Sequence, residues 1–448
     1  MQSSAAPAEA EAASAGARGL RDLQLAKLRR QVAYLEERSP FYREKLAAAG
    51  VGAGDLDSLE SLARFPFTTK QEIRDSQAAA PPLGRHACVR LDETIRLHAS
   101  TGTTGAPSWV GVTARDAEVW TELTAASFRA QGIRRDDVVI HAAGLTLFVG
   151  GLPARDAIER IGATFVPIGT GASDKVLAAM QTLGRTVLHA TPSYAVYLAE
   201  VARQRGLDPG ALGVRKLTVG GEPGGGEPAT RARIEADWGA PVTEGLGNAD
   251  MAPIVWGECE HQQGMHLTGA EWVLAELVDP ETGEVVPWEE GAEAELVYTA
   301  LERECCGLLR FRTRDRVRVL GMGCACGRPG PRIRCVGRTD DMLIVLGVNV
   351  FPSAIRDLVS ELHPQTTGAL EVVLREPGPR VAPPLRVRVE RGEGVADEPA
   401  LKARLEALVR GRLTVPVDVE LVPAGAIPRS QMKTALVRCE LSEDEEER

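Results

Sequence analysis

Aromatic side chains and long apolar runs are both scarce in this sequence. Only 4% of the 448 residues are Phe, Trp or Tyr. No apolar run approaches the roughly 18 residues that a membrane-spanning helix needs. The first 19 residues also lack the basic start and apolar middle of a signal peptide. We therefore expect a disordered leader over residues 1–19, a cytoplasmic protein and no membrane partner.

A cluster of basic residues is missing as well. The chain carries 52 basic and 62 acidic residues, a net charge of −10, and part of the acidic excess lies in a tail at residues 442–448. Proteins that bind nucleic acid usually present a basic face, so the charge pattern predicts no nucleic-acid partner. The tail itself is typical of a solvated chain end.

The sequence does contain a regular alternation of short β-branched runs with longer helical ones. Strand candidates at 138–141, 164–168 and 186–189 have helix candidates between them, which predicts a parallel sheet covered by helices. The fold class is therefore α/β: a large N-terminal α/β domain that includes a β-rich subdomain, followed by a small C-terminal α+β domain. The expected boundaries are 1–19 for the leader, 20–340 for the large domain with its β-rich part at about 255–335, 341–441 for the small domain and 442–448 for the tail.

A stretch of small residues, STGTTGA, begins at Ser100 after a strand candidate. Small residues let the backbone turn tightly and expose its N–H groups, and the hydroxyls add donors, so such a loop suits a polyphosphate. It is not a Walker A loop, because no Gly-Lys-Ser/Thr follows. A flexible surface turn is the alternative. The candidate phosphate-binding residues are Ser100, Thr101, Gly102, Thr103, Thr104 and Gly105.

Seven motifs occur in the order known from adenylate-forming enzymes: SPFYREKL, FPFTTKQEIRD, HASTGTTGAP, GGEP, LLRFRTRD, GRTDDMLIVLGVNVFPS and IPRSQMK. With them, the chain resembles the phenylacetate–CoA ligase branch of that superfamily over about residues 34–438. The resemblance implies that the protein uses ATP and Mg²⁺ to convert a carboxylic acid to an acyl-adenylate, releases pyrophosphate and then forms a thioester with coenzyme A. It also implies an aryl or arylacetic acid as the substrate, and it allows a homodimer.

The resemblance assigns the contacts to the nucleotide. The stretch of small residues would cradle the β- and γ-phosphates, although Ala106 stands where the family usually has Lys. Asp315 in RFRTRD would accept hydrogen bonds from the ribose hydroxyls, as acids do in other nucleotide sites. The segment lining the adenine would be Gly220, Gly221, Glu222 and Pro223.

The family's Mg²⁺-binding motif, Tyr-Gly-x-Thr-Glu, matches this chain only in part. In one register Gly247 keeps the glycine, Asn248 follows it, and Asp250 takes the place of the Glu as a hard oxygen ligand. In the alternative register, Glu244 falls on the Tyr position and Asn248 on the Glu position. We prefer the first register, because the residues after Asp250 then align with those that follow the family's Glu.

The resemblance places the catalytic lysine and a hinge in the last part of the chain. Lys433 in PRSQMK falls on the adenylation lysine, whose ammonium can reach the α-phosphate and the acid oxygen. Arg338 would approach the nucleotide, and Asp341 would be the hinge of a mobile C-terminal domain that swings between two half-reactions. Residues 347–353 look like the stretch that lines the pantetheine path, which supports coenzyme A as the acceptor.

Eight cysteines in a chain of this length indicate a metal site or free thiols rather than a disulfide framework. Cys259, Cys324 and Cys326, with His261 or His266, can complete a tetrahedral Cys₃His shell for a structural Zn²⁺. The resemblance favours His266, because the aligned histidine of relatives lies in the segment GMH. Buried free thiols are the alternative.

Two other functions stay open. The chain departs from the family pattern at Ala106 and in the Mg²⁺ motif, so adenylation could instead serve natural-product assembly, with a carrier-protein thiol or an amine as acceptor. A non-catalytic protein could hold a nucleotide or acyl-AMP without turnover. The retention of both Asp315 and Lys433 argues against that last function, so an AMP-forming aryl-CoA ligase is the first hypothesis.

Overall fold

The computed structural model describes residues 5–100, 108–376, 378–429 and 434–440, with side chains from Arg18 onward. The chain separates into two compact units. The first unit comprises Met1–Asp137, Gly144–Pro167 and Gly245–Arg334, and the second comprises Val138–Ala143, Ile168–Glu244 and Cys335–Arg448. None of the described helices combines the length and hydrophobicity that crossing a membrane requires.

Helices and strands alternate through the first half of the chain, and strands predominate later. The helices are α1 (Ala5–Arg38), α2 (Pro40–Ala49), α3 (Lys70–Ala79), α4 (Ala114–Ala130), α5 (Leu152–Ile161), α6 (Ser173–Leu183), α7 (Pro192–Gln204), α8 (Pro228–Trp238), α9 (Pro352–Ser360) and α10 (Glu398–Leu413). The strands are β1 (Arg96–Ser100), β2 (Ser108–Val112), β3 (Val138–His141), β4 (Thr164–Pro167), β5 (Thr186–Ala190), β6 (Val214–Gly220), β7 (Val242–Asn248), β8 (Ala252–Glu258), β9 (Met265–Leu267), β10 (Val273–Val278), β11 (Val285–Val286), β12 (Glu293–Ala300), β13 (Phe311–Met322), β14 (Pro331–Arg338), β15 (Leu343–Val345), β16 (Val348–Val350), β17 (Thr366–Leu374), β18 (Arg380–Val381), β19 (Leu385–Arg391), β20 (Val417–Val422) and β21 (Val437–Cys439).

The first unit is built mainly from antiparallel strands. Strands β11, β10, β12 and β13 pair in that order, β8 pairs with β7 and β9, and β9 also pairs with β14. Along β13 the inward positions Phe311, Thr313 and Val317 are buried, whereas Arg314 and Arg318 between them are exposed. This alternation follows from the two-residue period of a strand, which the sequence FRTRDRVRV already shows.

The second unit contains the parallel sheet. Strands β3, β5 and β6 pair in parallel, with Ile140 opposite Leu188 and Leu188 opposite Leu217. The last part of the unit is a sheet in the order β20, β19, β17 and β21, and α9 and α10 pack against its strands. Its core includes Ile355 of α9 and Leu405 of α10. The α/β class is therefore confirmed, because parallel strands alternate with helices as the sequence pattern predicts.

A local sequence signal explains the start of α3. Thr69 and Glu72, three residues apart, form a capping box there: the Glu72 N–H donates to Thr69 Oγ1 at 3.3 Å, and the Thr69 N–H donates to Glu72 Oε2 at 2.8 Å. Helix α1 begins at Ala5 and so includes residues 5–19 of the leader that was expected to be disordered. Residues 442–448, which hold the expected acidic tail, lie outside the described part of the chain.

A buried arginine joins the N-terminal segment of the first unit to the chain just before β13. The side chain of Arg310 is 3% exposed and makes two bonds to Glu276, at 3.1 and 2.9 Å. It also donates to the carbonyls of Ala63 and Phe65 at 2.9 and 2.8 Å, and its guanidinium lies 4.0 Å from the ring centroid of Phe67. Burial raises the pKa of Glu276 even though Arg310 opposes the shift.

We expect Arg310→Ala to lower the free energy of unfolding by about 3–5 kcal/mol, because it leaves the Glu276 carboxyl buried without its cation. The matched control is Arg318→Ala, which removes a pair between Arg318 and Glu293 on a side chain that is 47% exposed. That variant should lose no more than ~1 kcal/mol. Denaturant unfolding of the three proteins measures both values. Equal losses would contradict a special role for the buried pair.

Candidate active site

The stretch of small residues connects two paired strands. Ser100 and Ser108 are the last register partners of the antiparallel hairpin of β1 and β2, so the stretch between them is the hairpin's connection. Ser100 is the one predicted phosphate-binding residue of this loop whose position is described. The others, at 101–105, lie outside the described part of the chain, as does Ala106.

A lysine lies at the end of this hairpin. Lys70 Nζ donates to Ser100 Oγ at 2.9 Å, and it contacts Asp250 Oδ1 and Oδ2 at 2.6 and 2.8 Å. The Asp250 side chain is 9% exposed and that of Lys70 is 21% exposed. The structure therefore brings two sequence-predicted residues, Ser100 and Asp250, onto one ammonium group.

The segment before α3 determines where this ammonium lies. The Thr68 N–H donates to the carbonyl of Arg310 at 3.0 Å, and the Arg312 N–H donates to the carbonyl of Thr68 at 2.9 Å. Thr68 is fully buried, and its hydroxyl lies 3.2 Å from Tyr42 Oη. Because the backbone is held on both sides of Thr68, α3 starts at a defined point and presents Lys70 from its first turn.

Asp250 follows β7 in a tight turn. The Asp250 N–H donates to Asn248 Oδ1 at 3.0 Å, and the Met251 N–H donates to the Asn248 carbonyl at 3.0 Å. Gly247 cannot carry a side chain here, because a Cβ on it would lie 1.8 Å from the carbonyl oxygen of Pro253. The close approach of the two strands at this glycine holds the turn that aims the Asp250 carboxylate.

Asp315 lies on β13 at an irregularity in the strand. The register between β12 and β13 shifts between Glu295 and Val297, and Arg314 has a left-handed φ of 65°. The Asp315 N–H donates to Thr313 Oγ1 at 3.0 Å, and Asp315 is 6% exposed. A β-bulge changes the direction in which nearby side chains point, and such bulges often lie beside active sites.

The segment expected to line the adenine follows β6 in the second unit. Gly220 ends the strand, Gly221 has a φ of 88°, and the carboxylate of Glu222 turns toward the first turn of α7. There Glu222 Oε1 accepts the Ser193 N–H at 2.9 Å and also contacts the Ser193 hydroxyl. Glu222 Oε2 accepts the Thr434 N–H at 2.9 Å. Lys433, the residue before Thr434, lies outside the described part of the chain.

The predicted hinge residues form a turn in the second unit. Arg338 makes two bonds to Asp340, Nε to Oδ1 at 2.9 Å and Nη2 to Oδ2 at 2.8 Å, and the Asp341 N–H donates to the Arg338 carbonyl at 3.2 Å. Both side chains of the pair are more than a third exposed. The guanidinium expected to approach the nucleotide is thus paired within its own turn.

The structure gathers the four predicted metal ligands. The ligand atoms of Cys259, His266, Cys324 and Cys326 all lie within 4.8 Å of one another. Cys259 Sγ is 3.7 Å from Cys324 Sγ, and Cys326 Sγ is 3.6 Å from His266 Nε2. Around a tetrahedral zinc, bond lengths of about 2.3 Å to sulfur and 2.0–2.1 Å to nitrogen give edges of about 3.8 and 3.6 Å. The donor set and its spacing therefore fit zinc.

The surroundings of this cluster shift the pKa values of its ligands in different directions, and burial raises the pKa of Cys259 to about 12. Burial, with Arg328 and Arg332 nearby, lowers the pKa of His266 to about 4, so its imidazole is neutral at pH 7. Burial raises the pKa of Cys326, but hydrogen bonds from Arg328 and neighbouring thiols outweigh it and bring the value to about 7. Arg332 donates to the carbonyls of Gly323 and Gln263 at 2.6 Å each, and so holds both ligand loops.

A polar row crosses the parallel strands of the second unit. His141 and His189 are register partners whose rings stack at a centroid distance of 5.0 Å, and His189 Nδ1 lies 2.9 Å from Thr218 Oγ1. Burial lowers the pKa of His189 to about 4 and that of His141 well below its usual value. Both imidazoles are therefore neutral at pH 7.

Sequence reasoning missed Lys70 as a site residue. The motif FPFTTKQEIRD contributes to the resemblance as a whole, and the sequence alone assigns no role to its lysine. One signal was available: Lys70 is the first residue of α3, where a cation faces the positive end of the helix dipole. A cation at that position needs a nearby anion, and here Asp250 supplies it.

Comparison with known proteins shows similarity over most of the chain. The profile of a family described as AMP-binding enzyme matches residues 17–299, and one described as AMP-binding enzyme C-terminal domain matches residues 347–438. The phenylacetate-coenzyme A ligase of Thermus thermophilus is 37% identical, over 92% of this chain and 94% of that protein.

Solved structures of one ligase match in two states. The crystal structure of 2-hydroxyisobutyryl-CoA ligase in its postadenylation state gives a TM-score of 0.87 at 31% identity, covering 93% of this chain and 89% of that one. The same ligase in its thioesterification state gives 0.69 at 32% identity, covering 94% and 90%. The present structure is thus more similar to the first of these two states.

We expect Lys70→Met to lower the free energy of unfolding by about 2–3 kcal/mol, because a nearly buried Asp250 loses its cation. The double variant with Asp250→Asn should recover part of the loss and give a coupling energy of about 1–3 kcal/mol. Denaturant unfolding of the wild type, both single variants and the double variant measures this cycle. A coupling energy near zero would contradict the pairing of Lys70 with Asp250.

Proposed function

The chain belongs to the AMP-binding enzyme family, and from this premise we propose that it activates an aromatic carboxylic acid with ATP and transfers the acyl group to coenzyme A. Its class is that of AMP-forming acid–thiol ligases. The observation that carries the proposal is the ammonium of Lys70, which joins Ser100 at the start of the phosphate loop to the carboxylate of Asp250.

The chemical difficulty is that a carboxylate must attack the α-phosphorus of a polyanion. One carboxylate oxygen forms a bond to the α-phosphorus, and the bond to the bridging oxygen breaks as pyrophosphate leaves. Catalysis then consists of alignment of the two reactants and of fixed positive charge near the leaving group. In the second half-reaction, the thiol of coenzyme A attacks the acyl carbon, AMP leaves, and a thioester results.

Lys70 supplies a cation that the phosphate loop itself lacks. The family's usual loop lysine is replaced by Ala106. In the first unit, the ammonium of Lys70 lies 2.9 Å from the hydroxyl of Ser100, directly before the loop residues. We infer that Lys70 faces the β- and γ-phosphates, with the loop from Ser100 to Gly105 providing hydroxyl and N–H donors.

The remaining nucleotide contacts follow the resemblance. Asp250 and Asn248 offer the hard oxygen atoms that Mg²⁺ prefers, and a carboxylate that accepts from Lys70 still has lone pairs to give a metal. When bound, Mg²⁺ would neutralise charge on the phosphates. Asp315 would hold the ribose, Gly220–Gly221 with Glu222 and Pro223 would line the adenine, and Lys433 would supply the ammonium at the reacting oxygens.

The domain division and the acceptor also belong to the proposal. We propose a large domain over 20–340 and a small domain over 341–441 that turns about Asp341, with Arg338 beside the hinge. The match to an AMP-binding C-terminal domain from residue 347 supports this boundary. The similarity to ligases named for coenzyme A, in both of the states compared, supports coenzyme A as the acceptor.

We propose that the cluster of three thiols and one imidazole binds a structural Zn²⁺. Four protein ligands, Cys259, His266, Cys324 and Cys326, leave no open position for a substrate, so the metal would contribute stability rather than chemistry. Three thiolates around Zn²⁺ leave one negative charge, which Arg328 and Arg332 would balance.

Pyrophosphate release tests the function directly. We expect the wild type, with Mg²⁺ and ATP, to release pyrophosphate with at least one member of a panel of benzoic, hydroxy- and aminobenzoic and phenylacetic acids. Coenzyme A should then yield the matching thioester. Lys433→Ala is the control for the chemical step and should abolish release while nucleotide still binds.

Other outcomes of the panel identify other functions. 2-Hydroxyisobutyrate is included because a structurally similar ligase is named for it. Release with that acid alone would contradict an aromatic substrate. Pyrophosphate release without a thioester would point to a carrier protein or an amine as acceptor. Nucleotide binding without pyrophosphate release for any acid of the panel would indicate a non-catalytic protein.

Metal analysis tests the zinc site. Protein purified without chelator should contain about one equivalent of zinc, and Cys326→Ser should lose most of it and melt at a lower temperature. Cys335→Ser is the matched control, because Cys335 is a half-buried thiol outside the cluster. Less than half an equivalent of zinc in the wild type would contradict the site.

A further inference from the structure

The carboxylate of Glu222 is occupied by three donors of the chain itself. Oε1 accepts the N–H and hydroxyl of Ser193, and Oε2 accepts the N–H of Thr434 at 2.9 Å. Ser193 is the second residue of α7, where the N–H groups of a first helical turn lack partners within the helix. One oxygen is therefore fixed to a helix N-terminus, and the other binds the C-terminal part of the chain.

The loop that carries Glu222 is itself closely packed. A Cβ on Gly224 would lie 2.8 Å from Pro192 Cβ and 3.2 Å from Arg356 Nη2, so the loop approaches both. Arg356 also donates to the carbonyl of Pro223. Because its neighbours are held in this way, Glu222 has little freedom to move away from Thr434.

Thr434 lies shortly before β21, the strand that pairs with β17 in the sheet of the C-terminal part. The Val372 N–H donates to the Leu436 carbonyl at 2.7 Å, and β21 then pairs in parallel with β17. Beyond Thr434 the chain is thus anchored to the sheet of the C-terminal part, whereas Thr434 itself is anchored to Glu222.

A second anchor lies on the other side of residues 430–433. Arg429 pairs with the fully buried carboxylate of Glu390, Nη2 to Oε1 at 2.6 Å and Nη1 to Oε2 at 3.1 Å, and its Nη2 reaches Glu200 Oε2 of α7 at 3.5 Å. The chain neighbours of Lys433 are therefore held on both sides by carboxylates, and Glu200 and Glu222 both belong to the part of the second unit that precedes residue 245.

We propose that Glu222 is a positioning residue for adenylation: its carboxylate holds Thr434, the residue directly after Lys433 in the sequence, while the acyl-adenylate forms. The inference rests on the proposed function and deepens it. It is compatible with a segment that lines the adenine, because the Glu222 carboxylate accepts donors of the chain itself while the backbone of the segment stays available to the base.

The bond to Thr434 belongs to one half of the catalytic cycle. A contact that holds the lysine segment for the first half-reaction must break if the C-terminal part turns for the second. Loss of Glu222 should therefore slow adenylation without slowing thioester formation.

The experiment compares Glu222→Ala and Glu222→Gln with the wild type, using phenylacetate as the acid. Pyrophosphate release without coenzyme A measures adenylation, and thioester formation from phenylacetyl-adenylate and coenzyme A measures the second step. We expect Glu222→Ala to lower kcat for adenylation by about 10- to 100-fold, the loss expected when a reacting group is misplaced by about 1 Å. The KM for ATP should stay within about threefold, and the second step should be unchanged.

Glu222→Gln should fall between the wild type and Glu222→Ala, because an amide offers one acceptor oxygen where the carboxylate offers two. Glu235→Gln is the matched control. Its carboxylate also accepts a backbone N–H, from Val242 at 2.9 Å, and both residues precede residue 245 in the second unit. It should leave both half-reactions unchanged.

Hydrogen exchange gives a readout that does not depend on activity. The Thr434 amide should exchange faster in ligand-free Glu222→Ala than in the wild type, and equal exchange rates would overturn the inference. So would a raised KM for ATP with an unchanged kcat, which identifies a nucleotide contact, or equal losses in both half-reactions, which identify a structural role. A wild-type protein that releases no pyrophosphate with phenylacetate would overturn the proposed substrate. The hydrogen-exchange experiment would still decide the role of Glu222.

Discussion

The ion pair between Lys70 and Asp250 is the constraint on which the candidate site in the first unit depends. A lysine at the first position of a helix meets the positive end of the helix dipole, and only a closely placed anion makes the position favourable. The anion in turn requires the turn after β7, and that turn requires Gly247. The backbone of Thr68 pairs with the chain around β13 and completes the arrangement. The position of the Lys70 ammonium therefore depends on three distant stretches of sequence: the start of α3, the turn after β7 and the chain around β13.

In the second unit, carboxylates also join distant segments of the chain. There they accept hydrogen bonds from backbone N–H groups as well as from cationic side chains. Glu222 joins the N-terminal turn of α7 to Thr434, and Asp357 of α9 accepts the N–H groups of Ala229 and Thr230 at the start of α8, at 3.1 Å each. Each contact satisfies donors that a helix cannot satisfy internally. Such bonds are individually modest and can therefore form and break within a working cycle.

Sequence patterns predicted elements well where the signal is local. The strand candidate at 138–141 depends on a short β-branched run between helical segments, and the strand occurs there as expected. The three thiols and a histidine near them could be named because Cys and His are rare enough for their spacing to stand out, and the resemblance then selected His266 over His261. Lys70 and the carboxylate of Glu222 could not be assigned in this way, because their partners lie 180 and 212 residues away along the chain.

The two carboxylates share a property that bears on catalysis. Asp250 is neutralised by an internal lysine, and Glu222 accepts internal N–H and hydroxyl donors, so neither carboxylate is a bare anion within its own unit. A polyanion that approaches the loop after Ser100 meets a cation whose charge is already shared. Under the proposed function, a bound polyanion would share the Lys70 ammonium with the Asp250 carboxylate, and a divalent metal beside Asp250 would add positive charge there. An internal ion pair thus keeps the ammonium in place before the nucleotide arrives, which reduces the reorganisation that binding requires.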